Sequence, residues 1–268
     1  MKADLHVHSS YSDSSLTMKE VFQEAKRNGV THLSFVDHDT VAGLAEAKRL
    51  EKEYDVTAIP GIEISAYDFE RDRKVHILGY NYDQHARHIT RLCTPLFERR
   101  HEHTLWQIEQ IKRAGYRFHV ERVLEAAKPS TTIYKQHVMA QLTDAAYDSN
   151  TYQTLYRKLF KGEGPAAGDI IYIDAFDAVE AIVADGGLPV VAHPGQLDSY
   201  ELIPELVEVG LAGIELHHPD HTELDRDKVE ALAESFGLFM TGGTDHHGSF
   251  GSKIEIGAVL SPFNPLFR

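Results

Sequence analysis

Short apolar runs rich in β-branched residues alternate with stretches of helical period along much of this 268-residue chain, and no other feature restricts its fold as tightly. Ala3 to Val7, His32 to Val36, Thr57 to Ile64 and Lys74 to Tyr80 read as strands, with helices at Thr17 to Asn28 and Val41 to Tyr54. Further on, helices at Asp174 to Asp185, Ile203 to Val209 and Asp225 to Phe236 are interleaved with strands at Leu188 to Ala192, Gly213 to Leu216 and Phe239 to Gly242. Such alternation specifies parallel strands with helices outside. A (β/α) barrel of seven or eight units is its natural closure.

Between these two blocks the alternation stops. Arg87 to Ala114, Glu121 to Ala127, Lys135 to Ala146 and Asn150 to Leu159 read as successive helices, broken at Gly115 and Pro129. The expected organisation is an α/β barrel made of residues 1–84 and 165–268, with an inserted helical subdomain at 85–164.

The strands carry an unusual load. Strand one ends in His6-Val7-His8, strand two leads into Asp37-His38-Asp39, Glu63 lies in strand three, and His76 lies in the fourth. Later strands end at His193, at Glu215-Leu216-His217-His218 and at Asp245-His246-His247. In a parallel barrel the strand ends converge on one face, so residues far apart in sequence meet. The i, i+2 spacing of His6 with His8, and of Asp245 with His247, turns both side chains of each pair to one side of an extended segment. One histidine on a strand is commonly a hydrogen-bonded core residue; seven strands bearing ligand types point to metal. Of the 17 histidines, His88, His101 and His103 fit surface scatter instead.

Imidazole and carboxylate without thiolate suit zinc, manganese or iron(II). The ligand candidates outnumber what one tetrahedral ion uses, so two or three divalent ions sharing Glu63 are expected. A formal charge of −14 argues against broad adhesion to duplex nucleic acid or anionic lipid, while bound cations would make one spot attractive to phosphate. A lone cysteine, Cys93, no apolar run near 18 residues and no leader pattern suggest a cytoplasmic protein. No obligate protein partner is evident.

Taken in order, DLHVHSSYSD, VDHDT, GIEIS, VHILGY, VAHPG, GIELHHP and TDHHG resemble the polymerase and histidinol phosphatase (PHP) family of metallophosphoesterases over residues 4–82 and 188–248. The resemblance implies a distorted (β/α)7 barrel with a trinuclear site. By position it assigns His6, His8, Glu63 and Asp245 to one ion, Glu63, His76 and His193 to a second, and Asp13, His38 and His247 to a third.

Within that family the pattern is similar to stand-alone bacterial members that act on nucleoside 3′,5′-bisphosphates and short 5′-phosphorylated oligonucleotides. Those members carry an Arg-Pro-His segment for the substrate phosphate, and Lys135-Gln136-His137 stands in its place, a point charge in place of a planar fork. Lys135, His137 and His218 are therefore the expected phosphate contacts, with Lys158 and Lys161 as further cations. Asp37 and His218 are the expected catalytic side chains, beside a hydroxide activated by the ions. Histidinol-phosphate phosphatase, a non-catalytic regulatory module and a C–N hydrolase are the competing readings.

Overall fold

The wall of the barrel runs β1 (Ala3–Val7), β2 (His32–Phe35), β3 (Thr57–Asp68), β4 (Arg73–Tyr80), β6 (Leu188–Val191), β7 (Gly213–His217) and β8 (Phe239–Gly242), and a two-residue β5 (Ile173–Asp174) pairs the outer end of β3. These elements come from a computed structural model that describes residues 1–267. The segment after β8 closes the wall against β1: Asp245 donates its N–H to the His6 carbonyl at 2.8 Å, and His8 donates to the His246 carbonyl at 3.0 Å. Gly243 permits this approach, because a Cβ there would lie 2.4 Å from the His6 nitrogen.

One expectation is corrected. β4 is antiparallel to both β3 and β6, whereas the other neighbours along the wall are parallel. Only residues 69–72 separate β3 from β4, too few for a crossover back to a parallel register. The longer β3 places Glu63 mid-strand, and His76 likewise sits in the body of β4 rather than at its end.

Helices α1 (Met18–Arg27), α2 (Leu44–Tyr54), α7 (Ala175–Ala184), α9 (Ile203–Glu208) and α10 (Glu223–Phe236) cover the outside, with the short α8 (Pro194–Leu197) following β6. Thr17 and Thr222 start α1 and α10 with capping boxes. Strand periodicity divides β4 between two environments: Val75 and Ile77 pack outward, Ile77 in one cluster with Val179 and Ile182 of α7. Leu78 and Tyr80 fill the barrel with Leu5, Val190 and Ala192. That filled interior is the floor beneath the site.

Among the remaining helices are α3 (Arg87–Arg113), α4 (Val120–Ala126), α5 (Lys135–Met139) and α6 (Asn150–Phe160). The α5 segment is shorter than expected, with turns after Met139 where sequence periodicity suggested helix. The backbone N–H groups of His88 and Ile89, at the start of α3, donate to the Asp185 carboxylate, which satisfies two orphan donors and faces the positive end of the helix. Ile89, Cys93 and Leu96 of α3 belong to the barrel's outer core, while Ile108 and Ile111 belong to a separate cluster with Val123, Val138 and Leu159. One helix thus spans both cores.

Candidate metal centre

His6 of β1 and His8 just beyond its end reach the interior past an irregularity in the register with β2 between Asp4 and Val7. Leu5 fills the floor, yet Val7 packs outward against the α1 and α2 side, and His6 and His8 turn inward. Beyond β8, Asp245 adopts φ 49°; His193 after β6 adopts φ 24°, and Asp39 after β2 adopts φ 61°. All three hold sparsely populated backbone conformations beside one pocket, His193 the least ordinary of them.

Glu63 stands at the centre. One of its oxygens lies 2.7 Å from His76 Nδ1 and 2.9 Å from His193 Nε2; the other lies 3.2, 3.4 and 3.5 Å from His8 Nε2, His6 Nε2 and His38 Nδ1. Asp245 Oδ1 is 3.3 Å from His6 Nε2 and 3.2 Å from His8 Nε2. His247 Nε2 approaches Asp13 Oδ1 at 3.3 Å, and its ring stacks on His8 with centroids 4.0 Å apart.

Ligand atoms gather into three overlapping groups within 4.8 Å: His6, His8, Glu63 and Asp245; His8, Asp13, His38 and His247; and His38, Glu63 and His76. The first repeats one expected ion set, and the second contains another with His8 added. His193 touches the oxygen of Glu63 that His76 touches, while His38 takes its place in the third group.

The donors fit divalent ions on two counts. Two ligands each about 2.1 Å from one tetrahedral ion lie about 3.4 Å apart, and the four edges joining His6 and His8 to Glu63 and Asp245 span 3.2 to 3.4 Å. In addition, both ring nitrogens of His8, Asp13 Oδ1, His38 Nδ1 and His193 Nδ1 are buried without a hydrogen-bond partner, a costly state unless a ligand completes it. Burial alone would raise the carboxyls of Asp13, Glu63 and Asp245, but the imidazoles around them outweigh it and hold all three below their usual range. The pocket therefore concentrates negative charge that protons or cations must balance. Burial opposes protonation of His8, yet Asp245 and Glu63 prevail and raise it to about 10, whereas burial pushes His38 down to about 4.

Other side chains expected at the site behave differently from one another. His218 is in place, its Nε2 3.3 Å from Asp245 Oδ2. Asp37 is not turned to the ligand cluster: its oxygens accept from Ser9 N–H, Ser9 Oγ and Ser12 Oγ at 2.7 to 2.8 Å, so it holds the loop that carries Asp13. Lys135 lines a cavity of about 240 Å³ that also contains Asp13, His38 and His76. His137 is absent from that lining; its Nδ1 accepts the Tyr134 N–H at 3.0 Å and burial pushes its pKa down to about 4. Lys158 instead faces the Tyr116 ring, and Lys161 is exposed outside the lining. A larger, mainly apolar cavity of about 660 Å³ lies behind Asp37 and Thr40 and touches none of the nine metal-ligand candidates.

Four supporting groups were not assigned a role from sequence. Glu215 accepts from His6 Nδ1 at 2.9 Å and from the His193 backbone N–H at 2.8 Å, fixing the ring of His6 and the main chain that carries His193. Its signal was a carboxylate inside an otherwise apolar strand. Gln136 donates to Asp13 Oδ2 at 2.9 Å. Arg100 of α3 donates to Asp39 Oδ2 at 2.7 Å and to Ser65 Oγ at 3.0 Å, while Tyr134 Oη donates to the His38 carbonyl. These bonds tie the helical segment to the loop bearing His38. Removing one partner of a buried ion pair strands the other, so Arg100→Ala is expected to lower the unfolding free energy by about 3 kcal/mol, measured by urea denaturation; a loss under about 1 kcal/mol would show that Asp39 finds another partner.

Comparison with known proteins places these observations in context. Residues 4–182 match the family described as the PHP domain. The chain is 52% identical to the phosphoribosyl 1,2-cyclic phosphate 1,2-diphosphodiesterase of Eggerthella lenta, over 96% of this chain and 98% of that one. It is 28% identical to the 3′,5′-nucleoside bisphosphate phosphatase of Chromobacterium violaceum, over 99% and 95%. A solved structure from Bifidobacterium adolescentis, named provisionally as a metal-dependent phosphoesterase, superimposes with a TM-score of 0.87 at 25% identity, covering 97% of this chain and 92% of that one. No helix among the described residues is long and apolar enough to cross a membrane.

Proposed function

This chain belongs to the PHP domain family, and from that premise we propose that its histidine-carboxylate pocket hydrolyses a phosphoester of a small ribose phosphate. The chain is a hydrolase, a metal-dependent phosphoesterase; the relatives that it matches over nearly their full length are named a diphosphodiesterase and a phosphatase, and the Bifidobacterium adolescentis structure a metal-dependent phosphoesterase. The observation that carries the reading is Glu63, one buried carboxylate ringed by five imidazoles. Identity of 52% against 28% favours a phosphoribosyl 1,2-cyclic phosphate over a nucleoside 3′,5′-bisphosphate.

Two or three divalent ions, manganese, zinc or iron, are held in this reading by His6, His8, Glu63 and Asp245, by Asp13, His38 and His247, and by His76 and His193 with Glu63. Such ions lower the pKa of coordinated water and offset charge on the phosphoryl oxygens. The chain's own residues do the rest. Glu215 fixes the ring of His6, Gln136 and Asp37 fix Asp13 and its loop, and Tyr134 and Arg100 fix the segment of His38 and Asp39. His218 stands beside Asp245 where it can hold or deliver a proton.

The test compares kcat/KM in manganese for phosphoribosyl 1,2-cyclic phosphate, a nucleoside 3′,5′-bisphosphate and histidinol phosphate. The cyclic ester is expected to lead by about tenfold or more, a margin that a few added polar contacts supply. Preference for histidinol phosphate would reverse the substrate assignment.

A further inference from the structure

Strand pairing holds the wall of the barrel together from β1 round to β8, but these two strands stand at the open ends of the paired order. Beyond β8 an isolated bridge joins Val7 to His246. The first ligand group straddles this seam. His6 and His8 come from one edge, and Asp245, whose Oδ1 lies 3.3 and 3.2 Å from their Nε2 atoms, comes from the other. Whatever sets one edge against the other also sets those distances.

Asp4 lies at the seam, wholly buried. Its Oδ1 accepts the Thr244 N–H at 2.9 Å and the His6 N–H at 3.4 Å; its Oδ2 accepts the Thr244 hydroxyl at 2.7 Å and the Gly257 N–H at 2.8 Å. Four donors from three stretches of chain thus meet one carboxylate, and a carboxylate supplies what they need, two oxygens that accept without donating. Gly257 presents its N–H at φ 81°, a conformation that glycine adopts freely. The N–H of Asp245 donates to the His6 carbonyl at 2.8 Å, so the N–H groups of Thr244 and Asp245 are both anchored to β1. Asp245 holds its uncommon backbone conformation directly after this anchor.

We propose that Asp4 is a positioning residue of the ion centre, clamping Thr244 so that Asp245 stands at ion-sharing distance from His6 and His8 across the seam. It acts through the main chain: its bonds reach the backbone of His6 and the residue before Asp245, not the ligand atoms. At this one place a side chain does the work that a ladder does elsewhere in the wall. The inference rests on the reading of the pocket as a divalent ion centre and is independent of which ester is cleaved.

The experiment is calorimetric titration of the full chain with manganese. Asp4→Asn keeps the shape, but its amide nitrogen must face either the N–H groups of Thr244 and His6 or that of Gly257, donor against donor. It is expected to weaken manganese binding about tenfold or more, the scale for groups that orient metal ligands. Thr244→Val, which loses only the hydroxyl bond, is expected to weaken it about fivefold, the factor of one hydrogen bond, and Thr244→Ser to bind as wild type does. The double variant is expected to bind no worse than Asp4→Asn alone, because both changes act through one clamp. Leu206→Ala, a truncation in the outer core, is expected to lower the melting temperature and leave manganese binding unchanged. Wild-type affinity in Asp4→Asn and Thr244→Val would overturn the positioning role, as would an equal loss in Leu206→Ala. If Asp4→Asn does not fold, the Thr244 pair decides, and equal binding by its valine and serine variants would overturn the role. A wild-type chain that binds no manganese would instead fail the ion centre itself, and the role of Asp4 with it.

Discussion

Glu63→Gln is expected to lower kcat on the order of 10³-fold, the scale of losing several kcal/mol of charge stabilisation, while leaving the barrel folded. Both oxygens of Glu63 are engaged, one with His76 and His193 and the other with His6, His8 and His38. Glutamine keeps the shape but offers one oxygen and one amide nitrogen. Whichever way the amide turns, an N–H donor faces a set of ring nitrogens where a cation belongs, and the negative charge is gone. Strand pairing of β3 with β4 uses main-chain groups, so circular dichroism should be unchanged. Turnover within about tenfold of wild type, at saturating manganese and with normal metal content, would remove Glu63 from the centre of the site.

How far the sequence foretold this arrangement depends on the range of the interaction. His6 and His8, or Asp245 and His247, were readable because strand period two is local, and their convergence followed from the barrel expected of the alternating elements. The direction of β4 was hidden in the shortness of residues 69–72, a turn rather than a crossover. His137 lies off the lining of the cavity because Tyr134, three residues earlier, claims its Nδ1, a capping contact that a family resemblance does not reveal. Asp37 sits beside a ligand in sequence, yet it turns to Ser9 and Ser12. The pairs Arg100 with Asp39 and Glu215 with His6 join residues 61 and 209 positions apart, and nothing in local pattern links such partners.

Chelation is expected to produce the second large effect, a fall in melting temperature together with loss of turnover. Ions that bind the folded chain and not the unfolded one add about 2.7 kcal/mol per site at a hundredfold excess over Kd, which for a chain of this size amounts to about 5 to 11 °C. Removing them returns Asp13, Glu63 and Asp245 to an uncompensated cluster and leaves the buried nitrogens of His8, His38 and His193 unpaired. Both consequences act in the same direction. Thermal melts with EDTA, and again after manganese is restored, check the size and the reversibility of the change; a melting temperature that ignores chelator and metal alike would mean that the cluster is satisfied by protons alone.

Counting ions by mass spectrometry on protein saturated with manganese and then desalted tests most directly whether these scattered side chains form one multi-ion centre. Two or three ions per chain are expected in wild type, falling by at least one in Glu63→Gln. A wild-type chain that retains none, or a Glu63→Gln chain that retains the full complement, would contradict a metal centre organised around Glu63.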